Sequence, residues 1–260
     1  MDAAAVLEAY NEQVRGARGE PSPGYTIERD AHVVRILGED GSWACVSWSR
    51  LDEASADAAI AAQLERFSAA REAWEWKYYS YDQPRDLPAR LIAAGMEAEP
   101  EETLLVAEIA ELELEPRLPE GVELRPVASA PELRALLRMQ DEVFGGGSPG
   151  MEQRMLAGIA HRPPTTAALA ASAGGTLVAG GRVEFELGSE FAGLWGGCTV
   201  PAWRSRGIFR ALVAQGTALA AARGVRYVHV DAAPESRPIL ESLGFTALAL
   251  TTPYKLAGSG

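Results

Sequence analysis

Apolar residues recur at helical spacing over residues 3–14, 58–70, 86–94, 131–144, 152–160 and 207–223, with a shorter helical stretch at 236–243. Between them, alternating or continuous apolar runs predict strands at 32–37, 43–48, 74–81, 103–109, 122–125, 167–171, 177–186, 191–200, 226–231 and 247–254. The punctuation agrees with this reading. GEDGS at 38–42 is a hairpin signal, the GGGSPG run at 145–150 stops one helix, and Gly95 and Gly244 stop two others. Strands that interleave with helices place the chain in the α/β (α+β) class.

The stretch EPRLPEGVELRP at 115–126 holds three prolines and one glycine between two patterned regions. It reads as a linker, with domains at 1–118 and 119–260. The two parts echo each other. Tyr78, Asp82, Leu91, Gly95 and Met96 precede Tyr227, Asp231, Leu240, Gly244 and Phe245 by a constant 149 positions. Each set reads strand, acid, turn, short helix, glycine, apolar residue, which is the signature of a tandem repeat.

Composition narrows the function. The chain has 260 residues, 47% hydrophobic and 23% charged, and a net charge of -12. Residues 1–120 hold 25 acids against 11 Lys and Arg, whereas 121–260 hold 11 against 13. The acidic total argues against a nucleic-acid partner, and the arginines of the second part suit a small anionic ligand. No apolar run approaches the roughly 18 residues of a membrane span. The opening MDAAAVLEAYNEQV has no basic segment of a signal peptide, and two cysteines make no disulfide framework, so a cytoplasmic setting is expected. Three scattered histidines and two distant cysteines offer no metal-ligand spacing, so no metal is expected.

The segment with chemical content is Cys198 to Arg210, CTVPAWRSRGIFR. An apolar strand ends at Val200, and Pro201 cannot extend its ladder. A loop with Arg204, Ser205 and Arg206 follows, and Gly207 opens an amphipathic helix through Ile208, Phe209 and Arg210. Free N–H groups at a helix start, a glycine and clustered arginines together make an anion site of the kind that cradles a diphosphate, against an ordinary basic loop before a helix. The paired Gly196 and Gly197 inside the preceding strand mark a bulge.

Residues 121–256 resemble the GNAT superfamily of N-acetyltransferases. Arg204-Ser205-Arg206-Gly207-Ile208-Phe209 matches its Gln/Arg-x-x-Gly-x-Gly/Ala signature up to the first glycine. Phe209 departs at the last position, where a bulky side chain is accommodated by pointing away. The late strand Tyr227–Asp231, followed by Pro238 to Phe245, matches the second signature. The resemblance implies a mixed, mainly antiparallel sheet flanked by helices and splayed at the Cys198–Val200 strand. There Thr199 and Val200 would contact pantetheine, and Arg204 to Arg210 would wrap the diphosphate of acetyl-CoA or another short acyl-CoA. The first part resembles the same fold without the cofactor loop, because SRLDEASADAAI brings Asp52, Glu53 and Asp57 to its helix start. It would wall the substrate cleft or replace a second subunit; an unrelated α/β domain is the alternative.

The implied activity is acyl transfer, chiefly acetyl, from CoA to the primary amine of a small molecule or peptide by direct attack. The implied assembly is a pseudo-dimeric monomer or a homodimer. The superfamily's frequent acid and base fall on Leu240 and Leu194 here. Glu184, on one strand face with Arg182 and Glu186, is the candidate base, against a solvated strand face. Tyr254 is the candidate acid, against a packed terminal-strand tyrosine. Ser236 reads as a helix N-cap near the thiol, and Cys198 as a small strand residue beside the cofactor. His229 reads as a hydrogen-bonded structural histidine, or as a titrating one. The competing function is an acyl-CoA sensor or scaffold that has lost catalysis.

Overall fold

The computed structural model describes residues 1–70, 73–112, 115–147 and 149–256. Ser148, inside the expected helix stop, lies outside the described residues.

The first part runs α1 (Ala3–Tyr10), β1 (Tyr25–Arg29), β2 (Val33–Gly38), β3 (Ala44–Ser49), α2 (Ala56–Ala70), β4 (Trp74–Tyr79), α3 (Leu87–Ala93), β5 (Met96–Ala98) and β6 (Glu102–Glu108). The second runs β7 (Val122–Pro126), α4 (Ala130–Phe144), α5 (Met151–Ala160), β8 (Thr166–Ala173), β9 (Thr176–Phe185), β10 (Phe191–Thr199), α6 (Ile208–Ala221), β11 (Tyr227–Ala232), α7 (Arg237–Glu241) and β12 (Thr246–Leu256). Local chemistry sets the ends of α4. Ser129 caps the Glu132 amide while the Glu132 carboxylate accepts from Ala128 N–H at 2.8 Å, and Gly145 turns the chain at φ 79°. Two short strands escaped the sequence pattern. In β1, YTIER alternates weakly at a sheet edge, and β5 has three residues.

All twelve strands of the described residues form one sheet, in the order β1-β2-β3-β4-β12-β6-β11-β10-β9-β8-β7, with β5 against β12. The sequence order makes β6 the closing strand of the first part and β12 that of the second. Both cross over. β6 lies antiparallel to β11, with Glu108 opposite Tyr227 and Thr103 opposite Ala232. The eleven residues of β12 serve three partners: Thr246 to Thr251 pair with β6, Thr251 to Lys255 with β4, and Tyr254 to Leu256 with β5. Each part therefore completes the other's sheet. The repeated positions keep matched roles at the helix ends. Leu91 and Leu240 are buried, Gly95 and Gly244 have φ 93° and 100°, and Met96 and Phe245 are buried. The strands have slid, because Asp231 lies within β11 whereas Asp82 follows the end of β4.

A buried ion pair fixes the N-terminal helix to this sheet. Arg15, 2% exposed, donates to both Asp82 carboxylate oxygens at 2.9 and 2.8 Å and to the Ser47 carbonyl at 3.1 Å. Its guanidinium also stacks 3.8 Å above the Tyr79 ring. On the other side, α6 buries Ile208, Ala211, Leu212 and Val213, at roughly 1.5–3 kcal/mol for each large side chain.

Candidate functional site

The parallel pairing of β10 and β11 stops after Gly193 and His229, and beyond it the two strands diverge. On its other edge β10 slips register against β9 between Trp195 and Cys198, so Gly196 and Gly197 form the expected bulge. Gly196 has φ 61°, which favours glycine, and a Cβ there would lie 2.7 Å from Gln140 Nε2. Gln140 donates to the Gly196 carbonyl at 2.6 Å and holds the bulge in place. The divergence opens a cleft of 230 Å³ beneath α6, walled by Leu194, Trp195, Gly196, Gly197, Phe209 and Leu240 among others. Leu194 and Leu240, the positions at which the sequence resemblance would put an acid and a base, thus make apolar wall.

At the mouth of this region, α6 starts at Gly207 (φ 82°) with no side chain capping its amides. Arg204, Arg206 and Arg210 surround that end and have no carboxylate within ion-pair range among the described residues. Arg204 Nε donates to the Thr199 carbonyl at 3.1 Å, Arg206 lies 4.6 Å over the Trp203 ring, and Arg210 reaches Ser242 Oγ at 2.7 Å. Ser205 takes φ 61° to make the turn. Uncompensated cations around uncapped amides are the composition of an anion site.

Several sequence expectations change here. Val200 N–H donates to the Val178 carbonyl at 2.9 Å, so it is not free for pantetheine. Cys198, 5% exposed, packs with Leu133, Leu136 and Met139 on the face away from the cleft, and burial pushes its thiol up to about 11. Ile208 is likewise core. Phe209 does not point away: its ring lies 3.0 Å from where a Gly197 Cβ would be, inside the cleft. Ser236 lines the cleft but caps no amide; its hydroxyl donates to the Ala233 carbonyl at 3.0 Å.

On the far side of the bulge lies a larger cavity of 380 Å³ between the two parts of the chain. Tyr10, Tyr25, Trp43, Glu75, Lys77 and Tyr79 come from the first part, and Arg154, Arg182, Glu184, Glu186, Trp195 and Asp231 from the second. Arg182, Trp195 and Asp231 line this cavity and the cleft alike. Two buried atoms at that junction have no hydrogen-bond partner: the Trp195 Nε1 donor and the Asp231 Oδ1 acceptor. The other Asp231 oxygen meets Lys77 Nζ at 3.1 Å, and Lys77 also reaches Glu102 at 2.7 Å. Burial alone would lower the Lys77 pKa, but Asp231 and Glu102 outweigh it and hold the amine charged.

Glu184 lies in this cavity, with its carboxylate 2.5 Å from Arg182 Nε. Glu186 lies there too, without a side-chain partner among the described residues. Burial, and then the Glu184 charge, push its carboxyl up to about 7. Tyr254 does not reach either space. It is 5% exposed in the core of the first part's sheet, because β12 carries it across to β4 and β5. His229 is enclosed by Tyr10 and Trp195 at ring separations of 5.1 and 5.6 Å, with neither ring nitrogen bonded. Burial lowers its pKa to about 4, so it is neutral and is not the hydrogen-bonded histidine expected. The roles of Trp195, Glu186 and Lys77 carried no sequence signal beyond residue type, since each depends on what the fold places opposite it. Among the described residues no cluster of metal-ligating side chains occurs and no helix is long and apolar enough to cross a membrane.

No protein-family model matches the sequence, and no curated protein matches it. Solved structures do. A GCN5-related N-acetyltransferase from Kribbella flavida superposes with a TM-score of 0.73 at 18% identity, over 99% of this chain and 96% of that one. A GCN5-related N-acetyltransferase from Sphaerobacter thermophilus gives 0.60 at 15% identity, over 97% and 91%. A tandem GNAT protein from the clavulanic acid biosynthesis pathway gives 0.56 at 17% identity, over 96% and 87%. With the splayed β10–β11 pair, the bulge and the uncapped α6 already in place, this chain has the fold of the GCN5-related N-acetyltransferases.

Proposed function

We propose that this chain is an acyl-CoA-dependent N-acyltransferase that moves an acetyl or other short acyl group onto a primary amine by direct attack. One observation carries the reading. The cleft beneath α6 and the cavity between the two parts share Arg182, Trp195 and Asp231 in their walls, and two of these, Trp195 and Asp231, each keep a buried polar atom without a partner. Buried polar atoms of this kind are normally satisfied, so their natural partner is a ligand. The diphosphate would rest on the α6 amides with Arg204, Arg206 and Arg210, and pantetheine would run along the bulge past Gly197 and Phe209.

The residues fit the steps of such a transfer. An amine in the larger cavity arrives as an ammonium and gives up its proton; Asp231, or Glu184 on the same wall, accepts it. The free amine attacks the thioester carbonyl. Trp195 Nε1–H, which has no partner, is the donor available to the oxygen that gains charge; the C–S bond breaks, and the thiolate leaves toward the Ser236 side of the cleft, taking up the second proton that the attacking nitrogen sheds. The first part of the chain supplies half of the acceptor cavity, which supports a pseudo-dimeric monomer built from two GNAT-like repeats. Two buried, unpaired cysteines, Cys45 and Cys198, suit a cytoplasmic protein.

The test is CoA affinity by calorimetry, paired with thiol release from acetyl-CoA across an amine panel. Arg206→Glu or Gly207→Asp should weaken CoA binding by roughly 10- to 100-fold. Unchanged affinity in both would overturn the cofactor assignment. Trp195→Phe should lower kcat at unchanged CoA affinity. A second reading, a CoA-binding sensor without turnover, draws on Phe209 within the cleft and on Leu194 and Leu240 in its wall. Tight CoA binding with no thiol release across the panel would favour it.

A further inference from the structure

The cavity between the two parts has an imbalance that the transfer step alone does not use. Each cation on its wall is occupied. Arg15 bonds Asp82 at 2.8 Å, Lys77 bonds Glu102 at 2.7 Å and Asp231 at 3.1 Å, and Arg182 bonds Glu184 at 2.5 Å. Arg154 donates to Ser42 Oγ at 2.7 Å and to the Pro149 carbonyl at 2.9 Å, with Asp40 at 3.6 Å. The acids are not balanced in this way. Asp231, whose side chain is 4% exposed, keeps Oδ1 without a donor at the junction with the acyl cleft. Glu186 has no side-chain partner among the described residues and lines the cavity but not the cleft.

Resting on the acyltransfer reading, we propose that the acceptor is a small molecule with two ammonium groups, one at Asp231 that reacts and one at Glu186 that stays charged and anchors it.

The sheet sets the spacing. Phe185 pairs with Ala192, and Glu186, one residue past the end of β9, continues that register to the level of Phe191, which pairs with Tyr227; Asp231 is four residues farther along β11. Two strand spacings across and four residues along separate the Cα atoms by roughly 16 Å, and positions level with one another in the sheet send both side chains to the same face. A diamine with an extended spacer of several carbons suits two carboxylates placed in this way. The wall between is partly aromatic, with Tyr10, Tyr25 and Trp195, which tolerates a methylene chain and favours cations over anions. The raised carboxyl of Glu186 agrees, because it lacks the positive partner that an anchored ammonium would provide. A carboxylate in that position on the acceptor would meet Glu184 and Glu186 and be rejected.

The test uses the full chain with acetyl-CoA and reads thiol release for putrescine, cadaverine, hexamethylenediamine, hexylamine and the aminohexanoate anion. A diamine of fitting length should exceed hexylamine in kcat/KM by roughly 10- to 100-fold, with aminohexanoate lowest. Glu186→Gln should remove most of that advantage through KM, with kcat for the diamine little changed, and Glu186→Asp should restore part of it. Turnover of hexylamine equal to that of every diamine, or a diamine KM unmoved by Glu186→Gln, overturns this inference and leaves the acyltransferase reading intact. Absence of CoA binding and of thiol release with all amines overturns that reading and this inference together.

Discussion

The raised carboxyl of Glu186 gives a prediction about stability that needs no substrate. Its ordinary value is 4.5, and burial beside Glu184 carries it to about 7. Between those pH values the folded chain holds a proton that the unfolded chain releases. Stability must therefore fall as pH rises through this window. The protonated carboxyl's contribution is complete below the unfolded value and lost above the folded one. At about 1.4 kcal/mol per tenfold change in proton affinity, the ceiling is roughly 3 kcal/mol. Glu186 keeps some contact with solvent, so about 2 kcal/mol is the working figure. Glu186→Gln removes the titration and keeps the shape. Glu184, whose charge acts on Glu186, and the other charged groups of the cavity wall, among them Glu20, Arg154 and Arg182, are common to both proteins and largely cancel in the difference. Urea unfolding of both proteins from pH 4.5 to 8 should give near-equal stability at the acid end. The Gln variant should be more stable by about 2 kcal/mol at the alkaline end. A difference that stays flat within about 0.5 kcal/mol across the range refutes the placement of an uncompensated carboxyl in this cavity.

Two further outcomes follow from the architecture. Asp82→Asn leaves the guanidinium of Arg15 buried without its counter-charge, and equilibrium unfolding should show a loss of about 3–5 kcal/mol. A fragment of residues 1–118 lacks β12, the strand that pairs with β4 and β5, and a fragment of 119–260 lacks β6. Each should show weak near-ultraviolet dichroism alone, and mixing them should restore the native signal; a 1–118 fragment that unfolds cooperatively by itself would contradict the strand exchange.

Most helices and strands follow from the sequence because local periodicity states which face of each element is buried. The short edge strand YTIER lacks that alternation and went unread. The loop proposed to hold the diphosphate was also legible as a local arrangement, since an apolar strand, a proline stop, an arginine loop and a glycine before a helix are contiguous in the chain, and contiguous residues stay together on folding. The bulge at Gly196 and Gly197 was readable for the same reason. Pairing between distant strands was not. Alternation in β6 and β12 shows that each is a strand, but neighbours are chosen by packing and closure of the whole sheet, and so the closing strands changed sides and took Tyr254 into the core. The same limit separates Glu184 from Glu186. They are acids two residues apart, one near the end of β9 and one just past it, and only the tertiary structure places Arg182 against the first and leaves the second uncompensated. An ionisable group's chemistry is set by the charges and solvent that the fold brings to it, and these come from parts of the chain that the local sequence does not specify.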